Sequence, residues 1–187
     1  MVVAESERSL VEACQQGSRE AFHALFLAHK DRVYSIALRF SGNEATAMDI
    51  TQDTFLKLFF QIGSFRGEAS FESWLYRLVV NSCLDQKRKT RRLVPLLEEM
   101  RHRLFVSQDN PAASLARSET SRKVQAAVAK LSPDLRLSIV LRYTEGLSYE
   151  EMAEVFGVSK GTVASRLNRA HKELARRLLH MNGRLEE

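Results

Sequence analysis

Apolar residues in this chain recur at steps of three and four, as in Phe22, Leu25, Phe26, Val33, Ile36 and Ala37, and little interrupts them. That spacing lines one face of an α-helix, whereas a half-buried strand needs strict alternation. The 187 residues include only 8 glycines and 3 prolines, and runs of alternating β-branched residues are few. The sequence therefore predicts an all-α protein, without a short-period repeat.

The breaks divide the helices into two groups. Residues 6–15, 18–40 and 44–62 read as helices, the third starting after the Gly42-Asn43 break. A fourth is expected to start near Ser70, after the Phe65-Arg66-Gly67-Glu68 turn, and to run to about Lys89. Between about 93 and 118 the composition changes, with Pro95, the Glu98-Glu99 pair and then Ser107 to Pro111, and Pro111 with the polar cluster before it opposes a continuous helix. The expected organisation is two small helical domains, 6–92 and 119–181, joined by a flexible linker over 93–118. Ser132-Pro133 reads as an N-cap followed by proline in the first helical position.

Composition narrows the function. Lys and Arg outnumber Asp and Glu, 28 to 23, so the formal charge of +5 fits a polyanionic partner. A hydrophobic content of 44% supports real cores without metals or disulfides. Cys14 and Cys83 stand far apart, each in a helical pattern, and are expected to be buried free thiols, as suits a reducing cytosol. The chain opens without a secretory signal and has no apolar run near the ~20 residues that span a bilayer, so neither secretion nor membrane insertion is expected. There is no paired His/Cys metal spacing, nucleophile elbow or phosphate-binding glycine loop, and His23, His29, His102, His171 and His180 are scattered. No enzyme, metal or cofactor is expected.

The most informative stretch runs from Gly146 to Ala170. Ser148 and Glu151 have capping-box spacing, Gly157 can end that short helix in the left-handed conformation, and Ser159 can cap the next. The result is a tight helix-turn-helix. On its second helix Val163, Leu167, Ala170 and Leu174 share one face, while Thr162, Ser165, Arg166 and Arg169 share another. The first face can pack, and the second can reach base edges or phosphates in a major groove. The alternative is a solvated polar face on an ordinary helical hairpin. In the first domain Asp49, Gln52, Asp53, Leu56, Lys57 and Phe60 can share one broad helical side, mixed enough to suit a partner helix. Here the alternative is that Leu56 and Phe60 are core and the charges solvated. Phe65, Phe71, Trp74, Tyr76 and Arg77, followed by Lys87-Arg88-Lys89 and Arg91-Arg92, could stack and track unpaired bases, though Phe71 or Trp74 is expected to be mostly core.

The run from Leu131 to Leu174, with Ser148-Tyr149-Glu150-Glu151-Met152-Ala153 and Gly161-Thr162-Val163 through Arg169-Ala170, resembles region four of extracytoplasmic-function sigma factors. Asp49 to Phe59 and Phe65 to Arg77, with Asn81, Asp85 and Arg88 in register, resemble region two of the same family. The resemblance implies a bacterial transcription initiation factor acting in the cytoplasm without catalysis of its own. It implies docking on core RNA polymerase through Asp49, Gln52, Asp53, Leu56, Lys57 and Phe60. It implies minus-ten strand recognition by Phe65, Phe71, Trp74, Arg77, Asn81 and Arg88, the 65–71 turn and Asn81 holding one flipped base. Minus-thirty-five recognition would fall to Thr162, Ser165, Arg166, Asn168, Arg169 and Lys172, with Arg166 serving phosphate or packing. Ala164 and His171 stand where Lys or Arg is common in the family. An anti-sigma factor is a further expected partner. A stand-alone helix-turn-helix repressor is the rival reading, and it leaves the first-domain motifs unexplained.

Overall fold

A computed structural model describes the backbone of residues 2–101 and 119–182 and the side chains of residues 7–90 and 123–180. Four α-helices form the first module: α1 (Val2–Gln15), α2 (Arg19–Ser41), α3 (Glu44–Gln61) and α4 (Phe71–Arg101), with one 3₁₀ turn, Ile62–Ser64, between α3 and α4. The second module holds α5 (Glu119–Ala129), α6 (Pro133–Thr144), α7 (Tyr149–Phe156) and α8 (Lys160–Asn182).

Local chemistry sets the helix starts. The Ser18 and Asn43 side chains accept the Ala21 and Thr46 amides at the heads of α2 and α3, and Ser70 Oγ accepts the Ser73 amide at 3.0 Å before α4. Pro133 occupies the first turn of α6 as expected, but the Ser132 side chain makes no cap bond. The fourth helix outlasts its expected end near Lys89 and runs through Pro95 to Arg101. Proline forfeits one amide and crowds the preceding turn. The rest of the expected linker, 102–118, lies outside the described residues.

The apolar stripes of the helices meet in one buried cluster that runs through both modules. Leu25, Val33 and Ile36 of α2 meet Ile50 and Leu58 of α3 and Val79 and Cys83 of α4, all essentially inaccessible. Thr54 is buried among them because its hydroxyl donates to the Ile50 carbonyl at 2.7 Å. In the second module Leu137, Leu141, Met152, Val163 and Leu167 play the same part. Cys14 and Cys83 are buried free thiols. Burial pushes the Cys83 thiol up to about 12, against the opposing charge of Lys57.

The modules also touch. Helices α2 and α4 pack on α6, and α4 packs on α7. Arg136 of α6 is buried at the seam, donating to the Phe40 carbonyl at the end of α2 (2.6 Å) and to the Leu131 and Ala129 carbonyls. Glu145 accepts from Arg32 Nε at 2.8 Å and from the Tyr76 hydroxyl at 3.2 Å. Among the described residues no helix is long and apolar enough to cross a membrane.

Candidate nucleic-acid interface

The helix-turn-helix forms as the sequence predicts. Ser148 Oγ accepts the Glu151 amide while the Glu151 carboxylate accepts the Ser148 amide at 2.7 Å, so both ends of the capping box are made. Gly157 adopts φ +63° and its amide closes α7. Ser159 Oγ then accepts the Thr162 amide and starts α8. Val163, Leu167 and Ala170 are buried, which turns Ser165, Asn168, Arg169 and Lys172 outward together. Thr162 is half-buried, its hydroxyl paired with that of Ser159. Arg166 is also half-buried, its guanidinium 5.3 Å above the Phe156 ring, so packing holds part of it. His171, one of the two departures from the family pattern, is hydrogen-bonded to the Tyr143 hydroxyl at 2.8 Å.

In the first module α3 divides its six expected docking residues. Leu56 and Phe60 are exposed, 49% and 78%, which removes the alternative that they are core. Asp49, Gln52, Asp53 and Leu56 line a shallow recess of about 230 Å³ with Gln86 and Lys89 of α4. Lys57 stays beside Asp53, its ammonium 3.8 Å from Asp53 Oδ2, and also reaches across to α4. Its ammonium donates to Asp85 Oδ2 at 2.9 Å and Ser82 Oγ at 3.1 Å on α4, because its position turns toward the α3/α4 seam. Sequence reading missed the apolar part of the face: Met48 and Phe59 are exposed, and a groove of about 730 Å³ runs between α2 and α3 past Phe22, Phe26, Phe55, Leu56 and Phe59. A helical-wheel count of apolar residues in excess of one core stripe is the signal that could have found it.

The expected strand-capture residues fall into two places. Asn81 is exposed and lines a polar recess of about 280 Å³ with Lys57, Gln61, Leu78, Asp85 and Arg88. The Asp85 carboxyl is held below its ordinary range, first by the Lys57 hydrogen bond and then by the nearby charges of Lys57, Arg88 and Lys89, against some desolvation. Phe65, Phe71 and Trp74 cluster instead with one another, ring centroids 5.2–6.0 Å apart, with Phe71 buried and Trp74 half-buried. Phe65 and Phe71 line a separate cavity of about 380 Å³ against α1. The single base site expected from Asn81 plus the turn is thus two neighbouring surfaces in this arrangement. Arg77 donates to the Glu154 carbonyl at the end of α7 at 2.7 Å, and Tyr76 is buried beneath α6, its hydroxyl pushed well above its ordinary range by burial and then by Glu145. Gln15 of α1, which the sequence did not single out, donates through Nε2 to the Ile62 and Phe65 carbonyls at 3.0 and 2.8 Å.

A basic helix-turn-helix on one module, and a polar recess beside an exposed apolar face on the other, make this a two-module DNA-binding protein. The family model for sigma-70 region 2 matches residues 25–93, and that for sigma-70 region 4 matches residues 121–174. The chain belongs to the extracytoplasmic-function RNA polymerase sigma factors. It is 32% identical to the RNA polymerase sigma-H factor of Pseudomonas aeruginosa, over 95% of this chain and 96% of that one. It is 34% identical to the ECF sigma-E factor of Haemophilus influenzae, over 92% and 95%. Identity to the ECF sigma factor SigE of Mycolicibacterium smegmatis is 37% over 85% of this chain, spanning 62% of that protein's length. Two solved structures are similar at 27% identity and TM-score 0.67. One is the sigma factor RpoE with the anti-sigma factor NepR from Bartonella quintana, matched over 84% of this chain and 96% of that chain. The other is CnrH with the cytosolic domain of CnrY, matched over 91% and 95%.

Proposed function

We propose that this sigma factor works in the cytoplasm, without catalysis of its own, by joining core RNA polymerase to a promoter through three surfaces. The outward row Ser165, Asn168, Arg169 and Lys172 reads the duplex minus-thirty-five element, with Thr162 and Arg166 at its edge. Bidentate arginine contact with guanine contributes about 1–3 kcal/mol of discrimination, enough for this row to choose a sequence. The Asn81 recess holds an unpaired minus-ten base. Asn carries both donor and acceptor, and Lys57 and Arg88 place positive charge where a phosphate would lie. The Phe65 turn borders the same strand, and Arg77 joins it once released from Glu154.

The observation that carries the docking surface is the exposed row Met48, Leu56, Phe59 and Phe60 on α3, beside acidic Asp49 and Asp53. Apolar side chains exposed this far along one helix mark a protein contact. We assign that contact to core polymerase. Because the similar RpoE structure holds the anti-sigma factor NepR, an antagonist of this kind is a second proposed partner. Replacing exposed Leu56 with Glu should leave folding intact and abolish capture of core polymerase in a pull-down. Capture by folded Leu56→Glu protein at the parent level would overturn the docking assignment.

A further inference from the structure

Helix α1 packs on the Phe65 turn, and one of its polar side chains bonds the turn's backbone. Gln15 closes α1, and its amide nitrogen places both hydrogens on carbonyls about 50 residues away, Ile62 O at 3.0 Å and Phe65 O at 2.8 Å. These two carbonyls bracket the 3₁₀ turn. The Ile62 carbonyl closes that turn by accepting the Phe65 amide at 3.1 Å, and the Phe65 carbonyl follows the last turn, where no helical amide reaches. Ile62 is buried and anchors the start of the segment. From Phe65 onward the chain is extended or turning, with Gly67 at φ +72° and Arg66, Gly67 and Glu68 exposed. Gln15 therefore fixes the last point at which the turn is tied before it becomes free.

That point matters because Phe65 carries the ring that meets Phe71 and Trp74, at 5.9 and 5.2 Å between centroids. Moving the Phe65 carbonyl moves the ring with it and changes the shape offered to a base. A site held ready before its ligand arrives loses less on binding than one ordered by the ligand. Gln15 itself is exposed and outside the apolar core, so its role is separable from the stability of the fold.

We infer that Gln15 is a positioning residue for minus-ten strand capture, setting base choice by holding the Phe65 turn from the opposite helix. This rests on the reading that the 65–71 turn borders the captured strand. Gln15→Met keeps length and loses both donors, whereas Gln15→Lys restores a donor of similar reach. The full chain, assembled with core polymerase, is tested on single-stranded promoter oligonucleotides varied one base at a time. Gln15→Met should lower the preference for the best base over the worst about tenfold, within the range of one good base contact. Its melting temperature and polymerase affinity should stay at the parent values, and Gln15→Lys should keep most of the preference. Full preference in Gln15→Met, loss that appears only with a lowered melting temperature, or equal loss in Gln15→Lys would each overturn the inference. Phe65→Ala and Asn81→Ala run beside them. If both keep the parent preference, the strand-capture reading itself fails; if they lose it while Gln15→Met does not, only the role of Gln15 fails.

Discussion

At Lys57 one ammonium group joins two helices and sets the charge of a neighbouring carboxylate. Four residues on from Asp53, about 40° round the helix, its ammonium lies 3.8 Å from Asp53 Oδ2 and also bonds Ser82 and Asp85 across the seam with α4. Sequence spacing gives that angle but not the neighbour that waits there. Asp85 is that neighbour, with its pKa depressed first by the Lys57 hydrogen bond. A depressed carboxylate contributes stability that is complete above its unfolded value, near 3.8, and disappears as pH falls through the lower folded value. Urea unfolding of the parent and Lys57→Met should therefore show a gap in midpoint at pH 6 that narrows below pH 4. A gap that is the same at both would mean that Asp85 does not gain its stability from Lys57.

Helix ends were legible because their signals are local: Ser148 with Glu151 and Ser159 each cap an amide within a few residues, and Gly157 closes α7 with its own. The buried face of α8 was legible for the same reason, since Val163, Leu167 and Ala170 follow the helical repeat. Less legible was α4. Its end was expected near Lys89, yet the helix continues through Pro95 to Arg101. The surroundings of the aromatic turn were also less legible: Phe65 meets Phe71 and Trp74, and Asn81 lines a recess between α3 and α4, which no spacing within the turn reveals. At the element scale the helix-turn-helix makes a sharp prediction. The left-handed φ of +63° at Gly157, with open space where a Cβ would lie, confines the effect of Gly157→Ala to backbone strain of about 1–2 kcal/mol. Gly161 has no such φ and sits in the first turn of α8, so Gly161→Ala should be neutral or stabilising by up to about 1 kcal/mol. Thermal unfolding of the two variants reads this directly, and equal effects would contradict the turn geometry.

Across the whole molecule, two helical modules share one buried apolar cluster and are joined as well by polar groups the sequence could not pair: Arg136 with the Phe40 carbonyl, Glu145 with Arg32 and Tyr76, and Arg77 with the Glu154 carbonyl. Each joins residues between about 70 and 115 positions apart, beyond the range of any local pattern. In this arrangement Arg77 is engaged within the chain, while Asn81 stays open. Asn81 therefore offers the most direct test of the central claim, that the first module captures an unpaired minus-ten base. Run-off transcription and permanganate footprinting with core polymerase should show that Asn81→Ala binds polymerase and forms the closed complex normally. Opening should be impaired, or base choice at one minus-ten position relaxed by about 1–3 kcal/mol, and a pre-melted template should recover opening without restoring that choice. An Asn81→Ala protein that opens every promoter variant as the parent does would contradict the account.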